Sequence, residues 1–92
     1  MIPDPLPEES GFQFPLEIRV RVIGHHADDL TEFVYQRVLQ YVPDLTLAQL
    51  DTRPSGGGKY LAVRVAFTAD SREQLDNIFR DLSAHERILY II

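Results

Sequence analysis

The sequence predicts an α+β domain, a four-stranded antiparallel sheet with two helices packed on one face. Three observations carry this. Two segments, around residues 16–22 and 60–67, alternate apolar and polar side chains with the period of a half-buried strand. Two others, around 30–41 and 71–82, repeat apolar residues at helical spacing. With a weaker strand pattern after the first helix and a short apolar run at the end, the order is βαββαβ, two βαβ halves whose helices return to the same side of the sheet.

The 92 residues suffice for one modest core, and 45% hydrophobic with 25% charged residues is ordinary globular composition. The reading is therefore an N-terminal arm over 1–14 and a single domain over 15–92. In the arm, prolines stand at 3, 5 and 7 beside Asp4, Glu8 and Glu9, which favours an extended chain, docked if at all through Phe12 and Phe14.

The first strand is "PLEIRVRVIG". Leu16, Ile18, Val20 and Val22 face inward, with Glu17, Arg19 and Arg21 between them. Asp28 or Asp29 is placed to cap the first helix, whose stripe is Leu30, Phe33, Val34, Val38 and Tyr41 until Pro43 blocks it. Residues 45–53, "LTLAQLDTR", are expected to form the second strand. The third, "KYLAVRVAFT", turns Leu61, Val63, Val65 and Phe67 inward and Tyr60, Ala62, Arg64 and Ala66 outward. Ser71 and Gln74 have capping-box spacing ahead of Leu75, Ile78, Phe79 and Leu82. The last strand, "RILYII", is expected at a sheet edge, with Ile88, Tyr90 and Ile92 on the core side and Leu89 and Ile91 outward. Such an apolar edge calls for a cover, so Leu89 and Ile91 are candidates for docking a protein partner or a second copy.

Charge and motifs exclude more than they identify. A net charge of −5 opposes general binding to nucleic acid or anionic membrane. No apolar run approaches the roughly 20 residues of a membrane helix, and the N-terminus lacks the basic start and apolar stretch of a secretory signal, so a cytoplasmic protein without membrane contact is expected. Zero cysteines remove thiol catalysis and thiolate metal sites. Gly56, Gly57, Gly58 and Lys59 lead into a strand rather than a helix, and Tyr60 stands where a phosphate loop has Ser or Thr; a hairpin connection explains them better. An RNA-binding sheet would stack bases on aromatic residues of its central strands. Tyr60 is available, but the next outward position is Ala62 and strand one offers Arg19 and Arg21 in place of an aromatic, so half the stacking platform is missing. RNA binding through Arg19, Arg21, Tyr60 and Arg64 is an alternative reading, and the same arginines can meet an anionic ligand or an acidic protein partner. His25 and His26 lack a second ligand pair at zinc spacing, no serine sits in a nucleophile motif, and no carboxylate pair stands out for acid–base work. The residues give no enzyme signature, no metal site and no cofactor.

Across "FPLEIRVRVIG" at 14–24, "TRPSGGGKYLAVRV" at 52–65 and "SREQLDNIFRDL" at 71–82, the chain resembles the YbeD-like family of small bacterial proteins. The resemblance implies a ferredoxin-like βαββαβ domain similar to the ACT regulatory domains of amino-acid metabolism, with no established catalysis. It also implies a connection with lipoate metabolism, since members are often encoded near genes of lipoate attachment. ACT domains bind small effectors at the turn after strand one, which makes Gly24, His25, Asp28 and Asp29 the candidate ligand site, although the Pro-Gly signature of that turn is absent. There the Gly24 amide and the first amides of the helix would receive a carboxylate, and Asp28 or Asp29 an ammonium group.

Overall fold

The computed structural model describes residues 13–92. The elements are β1 (Leu16–His25), α1 (Leu30–Leu39), β2 (Leu50–Ser55), β3 (Tyr60–Ala69), α2 (Arg72–Ser83) and β4 (Ile88–Ile91), with 3-10 turns at Leu47–Gln49 and Gly56–Gly58. They form one antiparallel sheet in the order β2-β3-β1-β4, the α+β ferredoxin-like arrangement. The arm's first twelve residues lie outside the described residues.

Burial follows the alternation where strands are central. Val20 and Val22 of β1 and Leu61, Val63, Val65 and Phe67 of β3 join Leu30, Val34 and Val38 of α1 and Ile78 and Leu82 of α2 in one core. Phe14, Phe33, Leu75 and Phe79 pack against it, half-buried. β1 and β3 pair over ten residues, from Leu16 opposite Ala69 to His25 opposite Tyr60. That register puts Arg19, Arg21 and Ile23 of β1 and Tyr60, Ala62, Arg64 and Ala66 of β3 together on the face without helices.

Several details differ from expectation. The strand expected over 45–53 begins only at Leu50. The Thr46 amide donates to Gln49 Oε1 at 2.9 Å, a capping box that coils residues 47–49 and leaves Leu47 exposed while Leu45 is buried. α1 closes at Leu39, with Tyr41 in the turn beyond. Asp29 stands at its N-cap position without capping through its side chain; the carboxylate pairs with Arg87. At α2, Ser71 Oγ accepts from the Gln74 amide at 3.1 Å, but Gln74 Oε1 accepts from Asp70 instead of closing the box.

A further difference is in β4. Ile91 opposes Val22 and Tyr90 opposes Ile23, yet Ile88 opposes Gly24, so one extra residue is inserted between them. A bulge of this kind reverses which side chains face the core. Ile88 and Ile91 are buried, whereas Leu89, Tyr90 and Ile92 are 42%, 53% and 59% exposed. Ile91 is thus a core residue and not an outward one, and Tyr90 and Ile92 take the outward positions. Ala62, expected on a solvated face, is also buried there beside Ile23.

Candidate functional site

Two places collect the predicted site residues, and they differ in character. At the β1–α1 turn Gly24, His25, His26 and Asp29 are engaged within the chain. A Cβ on Gly24 would lie 2.7 Å from the Arg87 carbonyl oxygen and 3.0 Å from a Leu30 methyl, so glycine is required there for close packing of β1 against the start of β4. The His25 amide donates to Arg87 O at 3.3 Å, and the His25 ring lies 6.0 Å from that of Tyr60. The His26 amide donates to Lys59 O at 3.0 Å and its Nδ1 to Gly58 O at 2.7 Å, which ties this turn to the glycine connection. Gly56, Gly57 and Gly58 all have positive φ, at 57°, 68° and 93°, as a tight connection of this hand requires.

Asp29, expected to take an ammonium group, already holds the Arg87 guanidinium at 2.6 Å and 3.2 Å. The hydrogen bond from Arg87 lowers its pKa below the ordinary carboxylate value. Arg87 also lies 4.6 Å from the centre of the Phe33 ring, and Phe33 meets His85 edge to face. Asp28 is exposed. This turn is a packed junction, and His25, Asp28 and Asp29 do not converge on an open cleft.

The helix-free sheet face is different. A depression of about 500 Å³ lies over β1 and β3, lined among others by Arg19, Arg21, Gln49, Asp51, Arg64 and Ile92. Gln49 Nε2 donates to Ala66 O at 2.9 Å, so the 3-10 turn before β2 closes one side. Ile92 exchanges both backbone hydrogen bonds with Arg21, at 2.9 Å each, which places it at the other side. None of Gln49, Asp51 and Ile92 is a candidate site residue from sequence, and Ile92 is expected on the core side. Only the register and the coiled start of β2 bring them here.

The charges in this depression are unbalanced. Arg21 stands directly across from Arg64. Arg64 has a partner, since it donates to Asp51, its neighbour on β2, whose pKa is lowered mainly by that hydrogen bond. Arg53 also lies near the same carboxylate, at 3.8 Å. Among the described residues, Arg19 and Arg21 have no carboxylate partner. Like charges directly opposite on a sheet are unfavourable, and here only one of the two guanidiniums is compensated. Tyr60 lies on the same face at its far end, beyond Ala62 and half-buried.

Among the described residues no three His, Cys, Asp or Glu side chains come together to hold a metal ion, and no helix is long and apolar enough to cross a membrane. Ser71 is occupied as the cap of α2.

Comparison with known proteins agrees with this fold. The chain is 37% identical to a UPF0250 protein of Ralstonia nicotianae over 94% of its own length and 89% of the relative's. A UPF0250 protein of a Janthinobacterium species is 34% identical over 94% of both chains. The solution structure of protein HP0495 from H. pylori superposes with a TM-score of 0.70 over 98% of each chain at 17% identity, a likeness of fold. A family model described as a protein of unknown function, DUF493, matches residues 9–92. The chain belongs to this DUF493/UPF0250 family of small bacterial proteins, as the YbeD-like resemblance of its three sequence blocks implies.

Proposed function

We propose that this protein is a non-enzymatic, ACT-like regulatory or interaction module whose working surface is the helix-free sheet face, and that an acidic protein partner docks there. The observation that supports this reading is the Arg19 and Arg21 pair, without a carboxylate partner among the described residues, beside exposed Tyr90 and Ile92. Aromatic and arginine side chains together are what protein interfaces select, and the two flanking apolar residues would lose water on docking. The β1–α1 turn supports an effector site less well, because Arg87 O and Leu30 fill the space at Gly24 and the Arg87 guanidinium already holds the Asp29 carboxylate. RNA would find basic groups but, among the described residues of this face, Tyr60 and Tyr90 as stacking aromatics at separate places.

Retention of proteins from a native bacterial extract tests the reading, comparing the intact chain with R19E/R21E and with K59E/R80E, a double change of the same net charge. Partners should be retained by the intact chain and by K59E/R80E and lost with R19E/R21E. The same set retained by all three would remove the sheet face as the docking surface. Recovery of a metabolite or of RNA in place of protein would replace the reading with a sensor or an RNA-binding domain.

A further inference from the structure

Resting on that reading, we propose that the occupant of the depression is a peptide segment bearing two carboxylates about 7 Å apart, followed along the chain by an apolar residue. Arg19 and Arg21 lie two residues apart on one strand and point to the same face, which separates their side-chain origins by roughly 6.7 Å. An extended peptide presents alternate side chains with that same repeat, so acidic residues at positions i and i+2 meet the two guanidiniums together. Each can then form the charge-assisted, two-point pair that guanidinium and carboxylate geometry allows.

The next residue on this face of β1 is Ile23, buried beside Ala62 and opposite Tyr90. An apolar side chain at i+4 of the peptide is thereby carried to Tyr90 and away from any charge. The direction is set by the strand itself, since Arg19, Arg21 and Ile23 are consecutive along one face.

The reason for an anionic occupant is the unbalanced pair of Arg21 and Arg64. Asp51 serves Arg64 and lies on the far side of it from Arg21, because β3 stands between β2 and β1. A carboxylate arriving at Arg21 supplies the partner that the described residues do not. It also relieves the repulsion across the β1–β3 pair, so binding and sheet stability are coupled. Lys59 precedes Tyr60, which stands opposite His25, four residues along β1 from Arg21.

Fluorescence anisotropy with labelled synthetic peptides tests the inference on the full chain. The probe is Gly-Glu-Ser-Glu-Ser-Ile-Gly, compared with the same peptide carrying Gln for both Glu, with a reordered peptide Gly-Glu-Glu-Ser-Ser-Ile-Gly, and with a ten-residue uridine oligonucleotide. The probe should bind saturably below about 1 mM, the reordered peptide more weakly, and the Gln peptide not at all. R19E/R21E and the milder R19Q/R21Q should each weaken probe binding at least about tenfold, with K59E/R80E within about twofold of the intact chain. Circular dichroism establishes that the variants are folded. Equal binding of the Gln or reordered peptide, indifference to R19Q/R21Q, or binding of the oligonucleotide alone overturns the inference. If the peptides fail while protein retention from extract still depends on Arg19 and Arg21, the docking surface stands and only the two-carboxylate occupant falls. If retention is indifferent as well, both fall.

Discussion

Asp81 receives Arg37 Nε and Nη2 at 2.8 Å each and the Tyr41 hydroxyl at 2.6 Å, and His85 Nε2 lies 3.5 Å away. Its side chain is 11% exposed, so these bonds join α1 and α2 where water does not compete freely. The hydrogen bonds from Arg37 lower its pKa to about 2 from the ordinary 3.8, against the opposing effect of burial. A carboxylate depressed in the folded state adds stability above its unfolded pKa and loses it as pH falls through the folded value. Asp81→Asn should therefore cost about 2 kcal/mol near neutral pH, as expected for losing bonds to a charged group. The difference from the intact chain should shrink between roughly pH 4 and 2. Urea unfolding at several pH values reads both, and a difference that stays constant down to pH 2 would remove the ion pair as its cause. Gly24 makes a second residue-level case. Its substitution by alanine places a methyl 2.7 Å from backbone, which side-chain rotation cannot relieve, so Gly24→Ala should destabilise by about 1–3 kcal/mol. An unchanged thermal midpoint would show that the junction with β4 yields.

At the scale of elements, β1 and β3 are readable because their alternation runs through seven residues (16–22) and eight residues (60–67), with one side turned to the helices. β2 and β4 depart from their apolar patterns for physical reasons that alternation does not carry. In β2, the capping box of Thr46 and Gln49 outcompetes extension of the same residues, a local hydrogen-bond choice that apolar pattern alone does not reveal. In β4, a single inserted residue reverses the inward set, and nothing in "RILYII" marks where it falls. Asp29 reads as a cap until Arg87, 58 residues away, takes its carboxylate. Arg19, Arg21 and Arg64 were legible as one basic face, whereas the depression needed Gln49, Asp51 and Ile92, which only register and the bulge assemble. The corrected β4 gives a direct test. Ile91→Ala should destabilise by about 2–4 kcal/mol, as a buried position does, while Leu89→Lys changes stability by less than about 0.5 kcal/mol. The reverse ranking in denaturant unfolding would restore the outward placement of Ile91. The β1–β3 pair gives another. Arg21→Thr removes one of two facing guanidiniums and puts a strand-favouring side chain in its place, so it should stabilise by roughly 0.2–1 kcal/mol. A loss of stability would mean that Arg21 is compensated within the chain.

For the whole molecule, the sign of the net charge and the sign of the proposed surface oppose each other. The chain carries −5, yet its sheet face presents Arg19, Arg21, Arg53 and Arg64 against Glu17 and Asp51. An acidic peptide far away is repelled by the total charge, and one at contact is attracted by the local pair. Salt separates the two ranges. At about 10 mM ionic strength the screening length is roughly 30 Å and the repulsion reaches well beyond the surface; near 150 mM it is roughly 8 Å and only neighbouring charges act. Added salt over this range should therefore raise the association rate of Gly-Glu-Ser-Glu-Ser-Ile-Gly by about two- to threefold, and it should speed dissociation as the contact pairs are screened. Ordinary steering by a basic surface gives the opposite sign for association. Stopped-flow anisotropy at the two salt concentrations distinguishes them: an association rate that falls with salt means that the arginine face governs the field at a distance, and one that rises means that it acts only on contact.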